Sequence, residues 1–223
     1  MKRCVTLFAL PVVGALVGGI TGSARAESVD YSASISLATT NWSDSISIPL
    51  FDPNLGSLVS IEFYLSGMVA GNAAFESLDA AQSIVDLSLK AEIKLMRPDA
   101  SSLVVVLPEV NTSDSVQSFD GSIDFGGDSG RTHNGLTSSM TEAFFSPPPV
   151  SDLALFTGNG TINLLVSAAG LSSASGAGNL ITFFQTQASA DVRVRYNYTT
   201  IPLPSVAGMG LSGIACMGLR RRR

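Results

Sequence analysis

Thirteen consecutive residues, SIVDLSLKAEIKL, constrain this chain more than any other stretch. Val85, Leu87, Leu89, Ala91, Ile93 and Leu95 alternate with Asp86, Ser88, Lys90, Glu92 and Lys94. In a strand successive side chains point to opposite faces, so this rhythm puts those six apolar groups on one side and every charge on the other. A helix would scatter both sets around its axis. The same period opens the chain's body, where Val29, Tyr31, Ala33, Ile35 and Leu37 alternate with Asp30, Ser32, Ser34 and Ser36. It closes the body too, with Ala190, Val192, Val194, Tyr196 and Tyr198 set against Asp191, Arg193, Arg195 and Asn197.

Shorter strand candidates lie between these segments: SDSISIPLF, SLVSIEFYL, SSLVVVLPEV, DLALFTG and TINLLVS, separated by Gly, Asn, Asp, Ser and Pro. So many half-polar strands need a second sheet to cover their dry faces. The expected fold is therefore all-β, an antiparallel β-sandwich of jelly-roll-like form. MVAGNAAFESLDAAQ reads as a short helix or a long loop. SPPPV, residues 146–150, reads as a stiff connector, since each proline ring fixes φ and removes a donor.

The two ends are different in kind. MKRCVTLFALPVVGALVGGITGSARAES has a basic start, an apolar run and the small-x-small signal Ala24-Arg25-Ala26, the order of elements in a secretory leader cut by signal peptidase after Ala26. Cys4 precedes the apolar run and so is misplaced for lipidation. The last 23 residues, IPLPSVAGMGLSGIACMGLRRRR, join a Pro-x-Pro motif to an apolar segment and four arginines. The chain thus divides into a signal peptide at 1–26, a β domain at 27–200 and a tail at 201–223.

Of the 13 basic residues, seven lie in the leader and tail, leaving six in the body against all 18 acids, a net charge of −12. A surface of that sign repels phosphate backbones and disfavours nucleic acid as a partner. Cys4 and Cys216 both fall outside the body, which excludes a disulfide scaffold or a cysteine-ligated zinc site there.

Few residues point to chemistry. The single histidine, His133 in SGRTHNG, reads as a solvated loop residue with no triad partners nearby. In SFDGSIDFGGDSG the carboxylates of Asp120, Asp124 and Asp128 form a candidate calcium cluster, with turn formation as the competing reading; the spacing is not that of an EF-hand. N-x-S/T tripeptides stand at Asn41, Asn111, Asn159 and Asn197. No catalytic residue is assigned, no cofactor beyond calcium is expected, and the chain is read as a non-enzyme.

Pro202-Leu203-Pro204-Ser205, the apolar segment behind it and Arg220, Arg221, Arg222 and Arg223 together resemble the PEP-CTERM class of bacterial sorting signals, in a form close to Val-Pro-Leu-Pro-Ala. The body resembles the choice-of-anchor E domain through FDPNLGSLVSIEFYL, DGSIDFGGDSG, SDLALFTGNGTINLLVSA and GAGNLITFFQTQASADVRVRYNY. The resemblance implies export, transient insertion of a tail helix into the inner membrane, processing by an exosortase-like enzyme, and delivery to the cell surface or extracellular polysaccharide matrix. It implies a non-catalytic role and carries over no catalytic residue.

Nineteen residues from Ile201 to Leu219 would span about 28 Å as a helix, just short of the roughly 30 Å hydrocarbon core. The arginine cluster resists translocation and would act as the membrane stop. A secreted carbohydrate-binding or carbohydrate-active module is the alternative function. It would call for exposed aromatic faces, and the chain offers only Trp42 and four tyrosines, of which Tyr31, Tyr196 and Tyr198 fall on dry faces.

Overall fold

The computed structural model describes residues 24–146 and 150–201. Two antiparallel sheets account for almost all of it. The strands are β1 (Ala26–Thr39), β2 (Trp42–Pro49), β3 (Gly56–Ser77), β4 (Ser83–Met96), β5 (Ser102–Val106), β6 (Glu109–Val116), β7 (Gly130–Ser146), β8 (Thr161–Gly170), β9 (Ser173–Ser175) and β10 (Leu180–Thr200). One short helix, α1 (Val150–Leu155), interrupts the series. Arg25–Thr200 forms one compact unit.

The first sheet runs β1-β10-β3-β7; the second runs β2-β8-β4-β5, with β6 and β9 also paired to β4. β5 and β6 lie end to end along one edge of β4, on residues 93–96 and 83–90, while β8 and β9 lie end to end along the other. The break between β5 and β6 falls at Leu107-Pro108, where the proline has no N–H to give the ladder, although its carbonyl still accepts from Ala91 N at 3.2 Å.

Alternation does on the structure what it does on the page. The six dry-side residues of β4, Val85, Leu87, Leu89, Ala91, Ile93 and Leu95, are buried, while Ile84 on the wet side is exposed, and Ala188, Ala190, Val192, Val194 and Tyr196 of β10 are buried with them. Ile61, Phe63 and Leu65 of β3 join the β10 set on the inner face of the first sheet. They share a core with Ile46 and Ile48 of β2, Leu89, Ile93 and Leu95 of β4, and Leu164 and Val166 of β8. A second cluster, Ala73, Phe75, Val85, Leu87 and Val116, continues the dry layer past the first. β3 has 22 residues and β10 has 21, so the first sheet is about 70 Å long at the usual rise per residue.

Three expectations are corrected. MVAGNAAFESLDAAQ is not a helix or loop through its first two thirds: Met68–Ser77 continues β3, hydrogen-bonded to β10 on one edge and β7 on the other. Small residues just before and within it suit close packing. A Cβ on Gly67 would stand 2.6 Å from Ile93 Cδ1 and Val106 Cγ2 of the facing sheet, and one on Gly71 would stand 1.9 Å from the Gln185 carbonyl oxygen of β10. DLALFTG is not a strand; its start lies in α1, and Leu153 of α1 and Phe156 just after it both reach the core. His133 is not a solvated loop residue, because it lies within β7 and its Nε2 is 2.7 Å from Asp114 Oδ2 of β6.

Ala26, read as the last leader residue, begins β1 opposite Thr199. The expected signal and transmembrane helices fall on residues 1–23 and 202–223, outside the described residues apart from Ala24–Ala26 and Ile201. Among the described residues no helix is long and apolar enough to cross a membrane.

Candidate functional site

The outer face of the first sheet carries the polar half of each alternating strand, and register decides which polar residues meet. Asp191 of β10 stands between Ser34 of β1 and Ser66 of β3, which in turn faces Thr141 of β7. Two residues further along β10, Arg193 stands between Ser32 and Tyr64, and Tyr64 faces Ala143. A third row brings Arg195 between Asp30 and Glu62. Successive rows are about 7 Å apart along the strands.

The third row is a closed network. Arg195 donates through Nε to Asp30 Oδ1 at 2.8 Å and through NH2 to Asp30 Oδ2 at 3.1 Å, a bidentate pair. Glu62 accepts from Tyr64 Oη at 2.6 Å on one oxygen and from Asn197 Nδ2 at 2.8 Å on the other. The Arg195 hydrogen bond holds the Asp30 carboxyl below its ordinary range, partly opposed by desolvation. The Tyr64 hydroxyl does the same for Glu62, while that carboxylate raises the Tyr64 phenol. These charges satisfy one another.

The second row is different. The guanidinium carbon of Arg193 lies 4.1 Å above the centroid of the Tyr64 ring, a cation–π contact. Among the described residues Arg25, Arg97 and Arg195 each pair with a carboxylate, and Arg131 donates to the carbonyls of Gly127 and Gly130. Arg193 pairs with no carboxylate there. It borders an open groove of about 380 Å³ lined by Ser32, Ser34, Ser66, Thr141 and Asp191. The groove therefore offers a ring-supported cation, several hydroxyls and one carboxylate.

Asp120, Asp124 and Asp128 do lie on one loop, but the carboxylates of Asp120 and Asp124 serve the backbone, and Asp128 joins them through its own N–H. Asp120 Oδ1 accepts from Ser122 N at 2.9 Å and its Oδ2 from Asp128 N at 3.3 Å; Asp124 Oδ1 accepts from Gly126 N at 2.9 Å. Gly127 has φ +60°, and a Cβ there would stand 2.3 Å from Asp120 Oδ2, so glycine is what lets this turn close. Among the described residues no three His, Cys, Asp or Glu side chains are grouped to hold a metal ion. Beneath the loop, buried Glu76 accepts from Ser129 Oγ at 2.5 Å.

Ala24 is exposed just ahead of β1, next to Arg25, whose carbonyl accepts from Thr200 N at 2.9 Å. Pro202, Leu203, Pro204 and Arg220 to Arg223 lie outside the described residues. Trp42 is half-buried against the main core. Sequence reading passed over Tyr64, the one tyrosine not on a dry face. The signal was present in SLVSIEFYL, where Ile61, Phe63 and Leu65 take the dry positions and leave Glu62 and Tyr64 on the wet one.

No protein-family model matches the chain, and a search of curated proteins returned no match. Among solved structures, the infectious bursal disease virus VP2 subviral particle aligns at 14% identity over 91% of this chain and 47% of its own, with a TM-score of 0.20. The T13 IBDV viral particle aligns at 12% identity over 91% of this chain and 45% of its own, also at 0.20. This chain thus spans about half the length of those it aligns with, and likeness at such scores defines neither a shared fold nor a shared function.

Proposed function

We propose that the chain is an exported, non-catalytic component of a bacterial cell surface or extracellular polysaccharide matrix, sorted through a PEP-CTERM-type tail. Signal peptidase removes 1–26, the tail halts in the inner membrane, and an exosortase-like enzyme cuts near Pro204 and passes the choice-of-anchor E-like body outward. The observation that carries this reading is the order of elements behind the body: Pro202-Leu203-Pro204, an apolar segment, then four arginines. The body is suited to lose both ends, because Glu27 and Tyr198 still pair once residues before Glu27 and after Thr200 are gone. Its strand order, β1-β10-β3-β7 over β2-β8-β4-β5 with consecutive early strands alternating between sheets, supports the jelly-roll form.

Paired tail variants test it. Replacing Arg220 to Arg223 with serine removes the charge that resists translocation and releases the protein early. Replacing Pro202 and Pro204 removes the recognition feature, spares the stop and leaves the protein uncut in the membrane. Fractionation that finds both variants distributed like the wild type would end the sorting hypothesis.

A second reading, a secreted saccharide-binding module, is favoured by one observation: the Tyr64–Arg193 groove joins an aromatic ring to hydroxyl and carboxylate groups on an open sheet face.

A further inference from the structure

We infer that the groove on the outer face of the first sheet binds an acidic saccharide, with the carboxylate of a hexuronate unit seated on Arg193. The inference rests on the saccharide-binding reading and names its ligand class. Arg193 is the cation of this face that pairs with no carboxylate among the described residues, whereas Arg195, one row away, is held by Asp30 on two hydrogen bonds. A guanidinium held over a ring by its carbon keeps N–H donors in its own plane, where a carboxylate can take two in parallel. Tyr64 is itself fixed by its hydrogen bond to Glu62, so the cation is supported before any ligand arrives.

The rest of the lining selects for a sugar. Ser32 and Ser34 can donate to or accept from hydroxyls, Thr141, which donates to Ser66 Oγ at 2.9 Å, can accept while Ser66 can still donate, and Asp191 accepts. Asp191 lies two residues from Arg193 on the same face, about 7 Å along the strand, a spacing that places one ring between carboxylate recognition and hydroxyl recognition. A fully apolar or fully anionic ligand would leave Asp191 opposed or unused. The body as a whole, at net −12, repels polyanions. Polyuronate binding would therefore have to come from a built site and not from bulk charge.

The test uses the full chain, purified in detergent, titrated calorimetrically with a galacturonate oligosaccharide and with a neutral glucose oligosaccharide of the same length. Saturable binding of the uronate, weakened by added salt, is expected. Arg193→Gln should weaken it roughly tenfold or more, as expected for a lost charge-assisted bidentate contact, with Arg193→Lys intermediate and Arg131→Gln unchanged. Arg193 is exposed, and a thermal melt of each variant at the wild-type position separates lost binding from lost fold. Equal affinity for the neutral oligosaccharide would overturn the uronate assignment while leaving the saccharide-binding reading in place. Failure of both sugars to bind would overturn both. Uronate binding that Arg193→Gln leaves intact would remove the groove as the site.

Discussion

Arg97 and Asp152 supply the sharpest test of how this body is held together. Arg97 follows β4, and Asp152 lies in α1. The guanidinium donates through Nε to Oδ1 at 3.0 Å and through NH2 to Oδ2 at 2.7 Å, with side chains only 16% and 6% exposed. The Asp152 hydrogen bond raises the Arg97 pKa. The Asp152 carbonyl also accepts from Phe156 N at 3.0 Å, and the buried Phe156 ring packs on Phe63 with centroids 5.2 Å apart. Asp152→Ala strands a mostly buried cation. Arg97 keeps bonds from NH1 to Ser101 Oγ and the Ser102 carbonyl, both at 3.2 Å, which limits the loss. A cost of about 2–3 kcal/mol follows, near the low end for breaking a buried pair. With a urea slope of about 2 kcal/mol/M, the midpoint should fall by about 1–1.5 M at unchanged slope. The double variant Arg97→Met with Asp152→Leu should recover most of that, because no buried charge is left. A midpoint shift of Asp152→Ala below about 0.3 M, worth roughly 0.6 kcal/mol on that slope, would show the pair to be energetically a surface contact and refute the reasoning.

Three further outcomes are expected. Tyr196→Phe removes the hydrogen bond from Tyr196 Oη to the Pro49 carbonyl at 2.9 Å and should cost about 1 kcal/mol in chemical denaturation. Burial pushes the Tyr196 phenol well above its ordinary value, so that contribution is complete below pH ~10 and is lost as pH rises further; wild type should lose stability in alkali more steeply than the Phe variant. Gly71→Ala drives a Cβ against the Gln185 carbonyl and should lower the melting temperature by several degrees, whereas Gly126→Ala, whose Cβ would stand 3.4 Å from Asp124 Oδ1, should change it little. Asp30 and Glu62 both have depressed pKa values, so their stabilisation is present above the ordinary carboxylate pKa and fades as pH falls through the lower folded values; an acid titration of Asp30→Asn should be flatter than that of wild type.

The parts of the fold legible in advance were those where local pattern and tertiary role coincide. β4 is central in its sheet, so its wet and dry sides are both long and regular, and all six predicted core residues are buried. β10 keeps the pattern with Ala190, Val192, Val194 and Tyr196 buried, whereas in β1, an edge strand, Val29, Tyr31, Ala33 and Ile35 are only half-buried and Leu37, at a bulge, is exposed. β7 hid because GRTHNGLTSSMTEAFFS is an edge strand whose inward positions include Ser138 and Glu142, so its alternation in polarity is blurred. Met68–Ser77 hid because it is rich in glycine and alanine, which carry no strand signal, with Gly71 required by the close approach of the Gln185 carbonyl on β10. α1 hid because six residues are too few to establish a helical period. The groove is a property of register. Asp191, Arg193 and Arg195 were visible as wet positions of one strand, but their partners Tyr64 and Ser66 lie more than a hundred residues away, and only the β3–β10 pairing sets Arg193 beside Tyr64. Asp120, Asp124 and Asp128 were visible as a cluster, yet the same composition serves turn closure and cation binding, and which one it does depends on where each oxygen points.

The measurement that tests the central claim most directly is the intact mass of the protein extracted from the host's surface. Processing at both ends predicts a single species that begins at Glu27 and ends near Pro204 or Ser205, without Arg220 to Arg223. A surface-extracted species that retains the terminal arginines, or begins at Met1, would contradict the sorting account.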